Sequence, residues 1–166
     1  MTTIAYHNGV LMADRRGIID SCDIGPNSPV EIQKIFHFEE INLLVGVTGQ
    51  VPHPDDIKKI VAQLLLDFQL NKIKTTPDSR YDLHRSGYLV INDHNRIWLF
   101  RGDSVSVGDT TSSIFLGSGA YITKGAVAAG KSLKEAMTLT AKLDKYTGFE
   151  FDILPISLLK KGRKRK

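Results

Sequence analysis

A threonine directly behind an initiator methionine becomes the chain terminus once that methionine is trimmed, and Thr2 occupies this place. A Thr hydroxyl is a weak nucleophile at neutral pH. To attack a carbonyl it needs a base, a positive field and a donor for the oxyanion. A terminal Thr carries its own base, because a free α-amine titrates at roughly 8. Two charged residues can serve it. "IAYHNGVLMA" reads as a hairpin turning at Asn8-Gly9, where both positions need positive φ. Pairing across that turn sets His7 against Val10, Tyr6 against Leu11, Ala5 against Met12, Ile4 against Ala13 and Thr3 against Asp14. Asp14 therefore lands beside the N-terminus, where it can hold a cation, and Lys34 at the start of "KIFHF" is the candidate. An ammonium near the Thr2 hydroxyl favours its alkoxide.

Other reactive patterns are weaker. "GAVAAGKS" at 125–132 matches the G-x-x-x-x-G-K-S phosphate loop letter for letter. That motif works only as a glycine-rich turn between a strand and a helix. Here it lies in an alanine-rich helical stretch, so nucleotide binding is not expected. His7, His37, His53, His84 and His94 show no metal-ligand spacing with acids or with Cys22. Trp98 and Phe100 share a strand pattern and read as core.

The elements that must position these residues follow from periodicity. Residues 15–33, rich in Gly, Pro, Ser and Asp, read as a loop. "KIFHF" and "INLLVGV" read as a second strand pair. From Pro54 to Leu70 the apolar residues Ile57, Ile60, Val61, Leu64, Leu65 and Phe68 recur at helical spacing, behind a start containing Pro54, Asp55 and Asp56. "GYLVIND" and "RIWLFRG" form a further hairpin, "SSIFLGSG" a strand, and "AYITKGAVAAG" a helix. Ser132 with Glu135 makes a capping box for another helix, and "FEFDILPIS" closes the chain as a strand. Hairpin connections imply largely antiparallel sheets, and segregated helices imply a layered α+β sandwich.

The 166 residues suit one domain over residues 1–159, followed by a basic tail, "KKGRKRK" at 160–166. The tail carries much of the net charge of +4, and the remainder is close to neutral or slightly acidic. Nucleic acid is therefore not an expected partner of the body. The start has no apolar signal segment, and no apolar run is near twenty residues long, so a membrane span is not expected. A lone Cys22 excludes an internal disulfide and fits a reducing, cytoplasmic setting.

"TTI", "NGVLMADRR", "QKIF", "VGVTG", "GSG" and "DKYTG", in that order, resemble the threonine peptidases of the proteasome β-subunit and HslV type, which are N-terminal nucleophile hydrolases. The resemblance runs from residue 2 to about 157. It implies a four-layer αββα sandwich and peptide-bond hydrolysis without a cofactor. Thr2 would be nucleophile and base, with Asp14 and Lys34 as the charged pair that tunes it. Gly46 would give the oxyanion N–H, and Ser118 would bond the α-amine and relay protons. Asp144 would orient Ser118, and Thr147 replaces the usual Ser of the family's Asp-x-x-Ser-Gly. Cleft-flanking positions map to Ile32, Leu44 and Thr48, which suggests a small or apolar substrate side chain. Members close into homo-oligomeric rings, cut unfolded polypeptides and can be fed by an ATPase unfoldase. The segment 71–86 departs from the family, because its polar residues leave no room for the usual second long helix. A ring or scaffold protein that keeps the fold without cleaving is the alternative.

Overall fold

The computed structural model describes residues 2–21, 25–69, 85–102 and 104–160. The N-terminal hairpin forms as its turn residues dictate. β1 (Thr3–His7) and β2 (Val10–Asp14) pair in the register expected from Ile4 to Ala13 through His7 to Val10. Asn8 and Gly9 adopt φ of 47° and 77°, as a type I′ turn requires.

Residues 15–33 do not form a loop. β3 (Arg16–Ser21) and β4 (Gly25–Glu31) make an antiparallel ribbon with a register shift between Ile19 and Ser21. Among the described residues the ribbon is a separate two-stranded sheet, and both of its strands are edge strands, where proline is tolerated. Pairing overrides the turn-like composition here.

β5 (Ile35–Phe38), β6 (Leu43–Gly49), β7 (Ser86–Asn92), β8 (Arg96–Arg101) and β9 (Ser104–Asp109) form an antiparallel five-stranded sheet in chain order. β9, "SVSVGD", is an edge strand that the sequence reading missed. β10 (Ile114–Gly117) and β11 (Phe151–Pro155) flank the first hairpin in a four-stranded sheet ordered β10-β1-β2-β11. The helices are α1 (Pro54–Gln69), α2 (Ala120–Ala128) and α3 (Leu133–Leu143), the last with both halves of its Ser132–Glu135 capping box. "GAVAAGKS" runs through the C-terminal part of α2 to the cap of α3, not through a strand-to-helix turn.

Strand alternation sorts side chains into three cores. Ile4, Tyr6, Leu11 and Ala13 meet Ile35, Leu44, Leu89, Ile91 and Ile97 between the sheets. Val45, Val47, Tyr88, Val90 and Phe100 face Ile57, Val61 and Leu64 of α1. Ala5 and Met12 face Leu133 and Met137 of α3. The layers are therefore helix, sheet, sheet, helix, an α+β αββα sandwich. Among the described residues no helix is long and apolar enough to cross a membrane. Met1, Cys22, His84, most of the 71–86 segment and tail residues 161–166 lie outside the described residues.

Candidate active site

Thr2 enters β1, an interior strand of its sheet, and is only 4% exposed. Its carbonyl accepts the Ser118 N–H at 3.1 Å. This pins the N-terminal segment to the turn after β10. Gly117 makes the approach possible: its φ is +92°, and a Cβ there would stand 1.5 Å from the Thr2 carbonyl oxygen.

Asp14 and Lys34 form a buried pair, 0% and 1% exposed, with Nζ 2.9 Å from Oδ1. Lys34 Nζ also donates to the Arg16 carbonyl at 2.5 Å. Asp14 collects further donors: the Thr3 N–H at 2.6 Å, the Arg16 N–H at 3.1 Å and the Gly148 N–H at 3.2 Å. Burial pushes the Lys34 ammonium below the ordinary lysine value, and the adjacent Asp14 carboxylate opposes that push. The pair thus reaches the N-terminus through the Thr3 amide, one residue from Thr2.

A second network lies alongside. Asp144 Oδ2 accepts the Ser118 hydroxyl at 2.7 Å and the Thr147 hydroxyl at 2.7 Å, while Oδ1 accepts the Tyr146 N–H at 3.2 Å. Because Thr147 donates to Asp144, its oxygen must accept from Thr3 Oγ1, 2.7 Å away. Thr3 in turn accepts the Gly119 N–H at 3.1 Å. The hydroxyls therefore run in one sense, from Gly119 through Thr3 and Thr147 to Asp144. Thr3, missed in the sequence reading, ties the two networks together. Its partner lies 144 residues away, and no local pattern announces it.

This orientation has a measurable consequence. Thr147→Val leaves the Thr3 hydroxyl without its acceptor, and should cost about 1–3 kcal/mol in urea unfolding. Thr147→Ser keeps the relay and should cost only about 1 kcal/mol for the lost methyl. Asp144 supplies a pH signature. Desolvation raises its pKa, but the hydrogen bonds from Ser118, Thr147 and the Tyr146 N–H outweigh it and hold the carboxyl below its ordinary 3.8. A depressed folded value adds stability above the unfolded value, and that stability is lost as pH falls through the folded one. Acid unfolding of Asp144→Asn should accordingly show a shallower loss of stability below pH 3.8 than the parent.

Thr2 lines a cavity of about 380 Å³. The inter-sheet rows of β6, β7 and β8 run out of the core into it: Leu44–Gly46–Thr48, Leu89–Gly87 and Ile97–Leu99–Arg101. Thr48 therefore lines the cavity, as mapped, while Leu44 is 0% exposed in the core and does not. Gly46 lies inside the sheet, paired with Ile35 and Leu89, with its Cα against Ile4. Ile32 packs on Gly17 of the β3–β4 ribbon, away from the cavity. Ser118 is a lining residue, and so are Arg85 and Arg101, which the sequence reading did not single out.

No family model matches the sequence, and neither does any curated protein. Solved structures do match. Eukaryotic HslV from Trypanosoma brucei superposes with a TM-score of 0.62 at 12% identity, covering 92% of this chain and 97% of that one. The bacterial proteasome homologue BPH of Thiobacillus denitrificans, in complex with epoxomicin, gives 0.57 at 14% identity over 93% and 98%. An Anbu (Gly-1) mutant from Hyphomicrobium sp. strain MC1 gives 0.56 at 10% identity over 93% and 81%. The chain therefore has the HslV- and proteasome-type fold of N-terminal nucleophile hydrolases.

Proposed function

We propose that this protein is a threonine-type endopeptidase whose nucleophile is Thr2, made terminal by removal of Met1. The observation that carries the reading is the buried Asp14–Lys34 pair, bonded to the Thr3 amide directly beside a cleft that contains Thr2. A buried ion pair adds little net stability over an apolar pair. Retention of one at this point is better accounted for by a charge needed there.

In this reading the freed α-amine takes the proton from Thr2 Oγ as the oxygen attacks the scissile carbonyl. The Lys34 field stabilises negative charge developing on Oγ. The peptide C–N bond breaks as the amine returns the proton to the leaving nitrogen, which leaves an ester on Thr2. Water, deprotonated by the same amine, then hydrolyses the ester. Ser118, aligned by Asp144, bonds the amine and relays protons, and Thr147 holds Thr3 in place. A backbone N–H of β6, mapped to Gly46, supplies the oxyanion donor, with Thr48 flanking the substrate. The substrates are unfolded polypeptides, and the protein works in the cytoplasm as a ring of identical copies, fed by an ATPase unfoldase. Tyr121, Leu143 and Phe149, 88%, 65% and 65% exposed, are apolar surface that such packing would cover.

Intact mass and N-terminal sequencing, with and without a threonine-directed epoxyketone, test this reading. Loss of Met1 with a one-to-one adduct on Thr2 is expected. Retained Met1 without an adduct would leave a proteasome-like scaffold in place of an enzyme.

A further inference from the structure

The cleft at Thr2 continues into a second cavity of about 570 Å³ along β10, and the two share Leu99, Arg101, Leu116 and Gly117. The charged side chains among their described lining residues have one sign. Arg85 lines the first, Arg101 stands where they meet, and Lys124 of α2 lines the second. Among the described lining residues of both there is no Asp or Glu. Asp144, which bonds the lining residue Ser118, also accepts from Thr147 and the Tyr146 N–H.

The placement of the arginines follows from the strands. Arg101 is the outermost member of the Ile97–Leu99–Arg101 row, so the face that fills the core at Ile97 presents a guanidinium at the cleft. Arg85 immediately precedes β7, and its carbonyl accepts the Gln50 N–H at 3.1 Å, which fixes that corner against β6. A positively lined concavity concentrates anionic ligands and penalises cationic ones. The apolar walls Leu99 and Leu116 limit solvent screening within it.

We infer that this cleft selects polypeptides carrying an acidic side chain close to the scissile bond, with Arg101 as the principal selectivity residue and Lys124 in support. The inference rests on the peptidase reading and replaces the small or apolar preference implied by the mapped residues. An extended peptide leaving Thr2 along β10 meets Arg101 first and Lys124 beyond it.

The test uses full-length protein and internally quenched peptides that differ only in Asp, Ala or Lys at single positions on either side of one cleavable bond. At one position or more, kcat/KM for Asp should exceed that for Ala by about fivefold or more, with Lys poorest, as one close charge contact at a partly screened site permits. Arg101→Gln should erase that order, Arg101→Glu should reverse it, and added NaCl should compress it. Binding of fluorescent Asp and Lys peptides to Thr2→Ala, by anisotropy, gives a readout that needs no turnover. Acid-selective binding lost in Thr2→Ala/Arg101→Glu supports the inference even if the parent cuts nothing, in which case the peptidase reading alone falls. Cleavage without charge preference, or preference unchanged by Arg101→Glu, overturns the inference and leaves the peptidase reading standing. Neither cleavage nor binding overturns both.

Discussion

Asp14→Ala is expected to lose about 3–5 kcal/mol of stability, the usual cost of removing one partner from a buried ion pair. The carboxylate organises the Thr3 N–H, the Lys34 ammonium, the Arg16 N–H and the Gly148 N–H, drawn from four separate segments. Without it, Lys34 stays 1% exposed and loses its directly bonded carboxylate, keeping the Arg16 carbonyl and the attraction of Asp152. Urea unfolding followed by Trp98, which is 7% exposed in the core beneath α1, should show a lower midpoint at an unchanged slope. The double variant Asp14→Leu/Lys34→Met should recover much of the loss, since apolar pairs of similar volume often replace buried ion pairs at little cost. It should nonetheless fail to hydrolyse peptides or take up an epoxyketone. That separation of stability from chemistry is the outcome a merely architectural pair would not give. An Asp14→Ala protein unfolding at the parent's midpoint would refute the buried pair itself.

On the peptidase reading, Gly117→Ala should lower kcat/KM about 100-fold, the scale of effect expected when a reacting group is misplaced by about 1 Å. The new methyl would begin 1.5 Å from the Thr2 carbonyl oxygen, so either β10 or the N-terminal segment must move. Backbone strain alone does not produce this result. Gly130 has a similar φ of +86° and nothing within 4 Å of its would-be Cβ. Gly130→Ala should therefore share the left-handed backbone penalty of about 1–2 kcal/mol while keeping activity. Parallel measurement of kcat/KM and epoxyketone labelling rate in the two variants separates displacement of Thr2 from general destabilisation. Equal activity in both would show that Gly117 does not position Thr2.

What the sequence made legible was what neighbours in the chain decide. Asn8-Gly9 fixes a turn, the turn fixes a register, and the register carries Asp14 to the Thr3 amide. Ser132 and Glu135, three positions apart, satisfy each other at the start of α3. Helical spacing from Ile57 to Phe68 likewise marks α1 and its buried face. Where distant segments decide, the signal is absent. Pro26 and Pro29 argue against an interior strand, and β4 pairs with β3 alone among the described residues. Leu44 and Thr48 share one face of β6, and only the position of Thr2 tells which end of that row is core and which is cleft. Arg101 reads as an ordinary strand-end charge in one dimension. Its meaning comes from β10 and Thr2 arriving opposite it.

The place of β1 in its sheet governs when the cleft can exist during synthesis. β1 is made well before β10, yet one of its two edges is completed by β10, with Thr3 opposite Gly117 and Tyr6 opposite Ile114. The hydroxyl relay from Thr3 closes later still, when Thr147 and Asp144 have been made. A nascent chain therefore holds Thr2 long before it holds the residues that surround it. The surroundings of Thr2 are completed only near the last strand, and on the peptidase reading a chain released early would carry the nucleophile without its partners.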